Sequence, residues 1–146
     1  MLNLSKFSEN LLDLMTERNL KCPALAKILQ TDRSNFTRYL NGEQLPSFKV
    51  FVSIIDYFCV SADVILGLKD YSAYSTFNKC QNFCERLRLI MQETKTTQYK
   101  IENDLKISGA SMYNWLHGKT LPSVDSLIRL AKYMEISVDY LLGRTN

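Results

Sequence analysis

The sequence has one histidine, no paired glycines spaced as in a phosphate-binding loop, and no long apolar run. Each of these gaps excludes a class of function. With His117 as the sole imidazole, no zinc-ligand set of the usual spacing can be assembled. For the same reason no nucleophile–histidine pair stands out. Without a glycine-rich loop the common cradle for nucleotide phosphates is missing. The longest apolar stretch, Phe48 to Val60, is broken by Lys49, Ser53 and Asp56, which makes it too short and too polar for a bilayer span. The start, Met1-Leu2-Asn3-Leu4-Ser5-Lys6, lacks the basic stretch and apolar run of a secretion signal, so the cytoplasm is the expected compartment. No enzyme activity, cofactor, metal or membrane association is expected.

A strong charge of one sign is also lacking. The formal net charge is +3. Through Asp70 eight Lys and Arg face eight Asp and Glu, so the whole surplus lies in the remainder of the chain. Any polyanion must therefore be held by local clusters rather than by a field over the whole surface. The four cysteines, Cys22, Cys59, Cys80 and Cys84, read as reduced thiols, buried or half-buried. Cys80 and Cys84, four apart, are expected on one face of a helix.

What the chain does have is a repeat. Leu40-Asn41-Gly42-Glu43-Gln44-Leu45-Pro46-Ser47 returns as Leu116-His117-Gly118-Lys119-Thr120-Leu121-Pro122-Ser123. The offset is 118 − 42 = 76, and it carries outward without a gap. Phe7 falls on Phe83, Leu11 on Leu87, Met15 on Met91, Ser61 on Ser137, and Leu66-Gly67 on Leu142-Gly143. Two copies of one helical unit are expected, over 1–68 and 77–146, with an aromatic joint at 69–76. In that joint Tyr71, Tyr74 and Phe77 recur every third residue, which suggests a helical or packed segment docking the units together.

Each copy predicts five short helices. Phe7, Leu11, Leu14 and Met15 form one apolar stripe at helical period, with Ser5 as its cap. Pro23 suits the first turn of a second helix burying Leu25, Ile28 and Leu29. Asp32 is placed to cap a third, Arg33 to Asn41, with Phe36, Tyr39 and Leu40 inward and Gly42 at its end. Ser47 caps a fourth, holding Val50, Phe51, Ile54, Ile55 and Phe58, and Ser61 a fifth, closed by Gly67. In the second copy Thr97, Ser123 and Ser137 are the equivalent caps. Gly109 to His117 forms the third helix, with Met112, Trp115 and Leu116 inward.

Two short helices joined by a tight turn and braced by three others describe a helix-turn-helix. The second helix of such a pair lies in the major groove and leaves its outer face for base edges. On the helix from Arg33 that outer face carries Arg33, Ser34, Thr37, Arg38 and Asn41. Arginine can bond guanine O6 and N7 together, and Ser, Thr and Asn can reach bases or phosphates. The plain alternative for Arg33 and Arg38 is solvated surface charge.

The residues Leu25-Ala26, Gln30-Thr31-Asp32, Arg33 to Tyr39, Gly42, Leu45-Pro46-Ser47 and Ser61 to Leu66 resemble the phage-repressor (Cro/XRE) helix-turn-helix family. The second copy is similar to it at Gln98, Ser108 to Trp115, Leu116 to Lys119, Leu121-Pro122-Ser123 and Ser137 to Gly143. The resemblance implies an all-α chain of two tandem five-helix lambda-repressor-like domains that binds double-stranded DNA. It places base-reading positions on Arg33, Ser34 and Arg38, and on Gly109, Ala110 and Asn114. The family's phosphate-binding glutamine falls on Gln98 in one copy and on Cys22 in the other. Asn35 joins the first set of candidates, and Lys100, Ser108, Ser111 and Lys119 the second. Tyr113 can stack on sugar or shield the core, and His117 can be solvated or meet phosphate.

Both copies depart from the family pattern. The small residue that lets the helices cross is Ala26 but Glu102, the turn glycine is Gln30 and Lys106, and Gly109 and Ala110 cannot reach a base. Divided labour follows: base reading in the first copy, backbone holding in the second. Two joined copies could cover two half-sites, or a homodimer could place two first copies on a palindrome; the unlike outer faces favour the homodimer. A competing reading, from the neutral first copy and the aromatic joint, is a protein-interaction module whose partner is another repressor, a sigma factor or a toxin.

Overall fold

The computed structural model describes residues 4–146. They contain ten α-helices and no strand. One compact unit ends at Phe77 and a second begins at Asn78. The first holds α1 (Leu4–Glu17), α2 (Cys22–Ile28), α3 (Arg33–Leu40), α4 (Phe48–Phe58) and α5 (Ala62–Ile65). The second holds α6 (Phe83–Glu93), α7 (Gln98–Leu105), α8 (Gly109–Leu116), α9 (Val124–Tyr133) and α10 (Val138–Leu141). Among the described residues no helix is long and apolar enough to cross a membrane.

Helix starts are set by short polar side chains that take an otherwise unpaired backbone N–H. Asp32 accepts from Ser34 N (2.6 Å), Ser47 from Val50 N (3.4 Å) and Ser61 from Val64 N (3.2 Å). In the second unit Thr97, Ser108, Ser123 and Ser137 do the same at 3.0–3.2 Å. Asn82 caps α6 through Glu85 N (3.2 Å), a cap the sequence reading did not assign. The core of the first unit is Phe7, Leu11, Leu25, Phe36, Phe51, Ile54 and Ile55, all fully enclosed. Leu87, Ile90, Ile101, Met112, Leu127 and Leu130 are enclosed in the second.

Left-handed residues recur at the 76-residue offset: Asn19 and Lys95, Gln30 and Lys106, Cys59 and Glu135, Gly42 and Gly118, Gly67 and Gly143. Gln30 (φ 54°) and Lys106 (φ 56°) stand in the turn between the paired helices without being glycine. A side chain there costs about 1–2 kcal/mol, partly offset by the stiffer unfolded chain. Lys106→Gly is therefore expected to stabilise the chain by about 0.5–1 kcal/mol in denaturant unfolding. A loss of stability would show that the lysine stem contributes packing that outweighs the strain.

Several expectations are corrected. Ser5 lies inside α1 instead of capping it. Ile28 is 47% exposed, while Leu25, Ala26 and Leu29 are buried. No helix forms over 69–76, where Tyr71 is 79% exposed. Ser72 Oγ accepts from Tyr74 N (3.1 Å) there, a local turn that competes with helix. Cys80 precedes the Asn82 cap and so shares no helix with Cys84. Cys59 is exposed.

Candidate nucleic-acid interface

In the first unit Phe36 and Tyr39 fasten α3 to the core, their rings edge-to-face at 5.9 Å. That fixes which side of the helix remains. Arg33, Ser34, Thr37, Arg38 and Asn41 are exposed, and Asn35 is half-buried. Thr37 Oγ1 donates to Arg33 O (3.0 Å) and lies 3.8 Å from the Cys22 sulfur at the start of α2, so its hydroxyl is partly engaged. Asn41 is the C-cap residue. Among the described residues neither the Arg33 nor the Arg38 side chain has a hydrogen-bond or ion-pair partner.

The second unit uses its arginines differently. Arg86 donates to Tyr140 O and Leu141 O, closing the end of α10. Asn10, at the equivalent place (86 − 76 = 10), does this for Val64 O and Ile65 O at 3.1 Å in the first unit. Arg88 donates to Leu116 O at the end of α8, and Arg129 to Leu105 O at the end of α7. Arg144 pairs with Asp139 at 2.6 Å. All four arginines of this unit thus cap carbonyls or face a buried carboxylate. Tyr133, donating to Asp104, also ties α9 to α7, and that bond holds its phenol above the usual range. The first unit has one such arginine: Arg18 donates to Phe58 O (2.9 Å) and lies over the Phe58 ring.

Two clusters form at the paired helices of the second unit. Towards the end of α8, Tyr113 and His117 stack with ring centroids 3.9 Å apart, and Lys119 Nζ lies 4.9 Å over the Tyr113 ring. His117 Nδ1 donates to Tyr113 O (2.8 Å), which leaves Nε2 as the free edge. The Lys119 ammonium, a donor at this spot, can meet a phosphodiester. At the start of α7 and α8, Gln98 Nε2 donates to Glu102 Oε1 (3.5 Å), and the same oxygen lies 2.6 Å from where a Cβ on Gly109 would be.

Lys100 and Ser108 are exposed, while Gln98, Ser111 and Asn114 are half-buried. The Ser108 hydroxyl donates to Ser111 Oγ (3.0 Å) and accepts from Ser111 N, so both serve the cap. Trp115 is buried and packs as core. The reach of Glu102 Oε1 toward Gly109 and Gln98 was not read from the sequence, which showed only the missing small residue; the signal available was its coincidence with Gly109.

Over 64 residues the chain is 31% identical to an uncharacterised HTH-type transcriptional regulator, YobD, of Bacillus subtilis (strain 168). That stretch is 44% of this chain, and it spans 57% of the length of the relative. No protein-family model matches the chain, and no solved structure matches it.

Proposed function

We propose that the chain is a sequence-specific DNA-binding transcriptional regulator of the phage-repressor (Cro/XRE) type, acting as a repressor. In this reading two tandem helix-turn-helix domains make up the chain, and α3 enters the major groove. The observation that carries it is the contrast in arginine use. Every arginine of the second unit is engaged internally, whereas Arg33 and Arg38 stand exposed on the outer side of α3 without a partner among the described residues. Guanidinium groups held there have the fork that guanine O6 and N7 accept. Lys119 supplies a backbone contact that positions the chain. Specificity is completed by a homodimer whose first units sit about 34 Å apart on a palindrome.

Selection from random-sequence duplex DNA, followed by a salt titration and sizing of the complex, tests this. A palindromic consensus is expected, with affinity falling roughly 10²–10³-fold between about 50 and about 200 mM salt. A second reading, a protein-interaction module, is favoured by an open apolar groove of the first unit, lined by Leu14, Val60, Val64 and Ile65 with Asn10 and Asp13 at its edge. Binding that yields no consensus and ignores salt would replace the first reading with the second.

A further inference from the structure

Resting on the DNA-binding reading above, we propose that Glu102 is a specificity-determining gate: its carboxylate excludes the second helix-turn-helix from the groove and leaves base reading to the first. The two units differ here at matched positions, since 102 − 26 and 109 − 33 both equal 76. In the first unit buried Ala26 fills the crossing of α2 with α3, and Arg33 keeps its full side chain at the start of α3. In the second unit Glu102 occupies that crossing, and its Oε1 takes space that a Cβ on residue 109 would need. Gly109, which carries no side chain, leaves open the space into which the Glu102 carboxylate reaches.

The electrostatic consequence is a reversal of sign. At the three matched positions Cys22, Ala26 and Arg33 sum to a formal charge of +1, and Gln98, Glu102 and Gly109 to −1. Duplex DNA carries one negative charge per about 1.7 Å of axis, so a carboxylate brought to the groove edge meets repulsion. The unit's arginines do not offset it, because Arg86, Arg88, Arg129 and Arg144 all point to internal partners. Gln98, which at this position could donate to a phosphate, faces the carboxylate instead. What remains for DNA at the other end of α8 is Lys119, whose ammonium can hold backbone.

The test compares the full chain with Glu102→Gln, Glu102→Ala, Glu102→Asp and the double variant Glu102→Ala with Gly109→Arg, using fluorescence anisotropy on a random-sequence duplex. Removal of the charge is expected to tighten binding roughly three- to tenfold at about 0.1 M salt. Glu102→Asp, which keeps the carboxylate, is expected to bind as the unaltered chain does. The double variant recreates the first unit's Ala26 and Arg33 and is expected to bind more tightly than Glu102→Ala, by the added positive charge. Glu102→Gln is nearly isosteric and keeps the hydrogen-bonding partner for Gln98, so it remains a valid test if the alanine variant folds poorly. Unchanged affinity in Glu102→Gln, with Arg33→Ala still weakening binding, overturns the gate and leaves the DNA-binding reading standing. Absence of duplex binding by every variant overturns both.

Discussion

Asp139→Ala is expected to destabilise the second unit by about 3–5 kcal/mol, the largest stability effect of any single substitution considered. Asp139 is 4% exposed and Arg144 2%, and their 2.6 Å contact is closed on the backbone side by Arg144 N donating to Asp139 O at 2.9 Å. Removing the carboxylate leaves a guanidinium out of water without its counter-charge, which costs far more than the pair itself contributes. Replacing both partners at once, Asp139→Leu with Arg144→Met, is therefore expected to restore most of the loss, since apolar groups of similar volume need no counter-charge. The first unit carries Leu68 where the second has Arg144 (144 − 76 = 68), so this ion pair is a feature of the second unit. Thermal unfolding checks it, at about 4–8 °C of midpoint per kcal/mol for a unit of this size. A shift no larger than that of an ordinary surface substitution would mean that the pair is hydrated in solution.

The repeat was legible because its register needs no gap, and the left-handed residues fall at the same offset in the backbone. The caps were legible for a local reason: a Ser, Thr or Asp before an apolar stripe needs only its own next three residues to act. Ile28 was misplaced because its spacing from Leu25 fits a buried face, yet the burial falls on Leu25, Ala26 and Leu29 instead. Tyr71, Tyr74 and Phe77 have a helical spacing, but spacing alone does not supply a surface to pack on, and Ser72 turns the backbone first. Least legible was the fate of the arginines. Periodicity says which residues face outward, but only the distance from Arg88 to Leu116 O or from Arg129 to Leu105 O separates an engaged cation from one available to a ligand. The surplus positive charge lies in the second half, yet all four of that unit's arginines are held internally.

Arg33→Ala combined with Arg38→Ala is expected to remove sequence selection while leaving the fold intact. Each guanidinium able to bond one guanine twice is worth about 1–3 kcal/mol of discrimination, so the pair together amount to roughly 2–6 kcal/mol, or about 30-fold and upward in affinity for the selected site. They stand five residues apart on α3, roughly 7.5 Å along its axis, about the rise of two base pairs. Under the proposed reading each would meet a different base, so the two losses are expected to be close to additive. Neither side chain has an internal partner among the described residues, so unfolding free energy is expected to stay within about 0.5 kcal/mol of the unaltered chain. The lysine pair, Arg33→Lys with Arg38→Lys, separates charge from geometry. It keeps both positive charges, and hence most of the salt dependence, but offers no planar fork, so the consensus should blur while non-specific affinity holds. If the alanine pair selects the same site from the random library as the unaltered chain, the outer side of α3 does not read DNA. The specificity would then have to lie with residues that carry no free guanidinium.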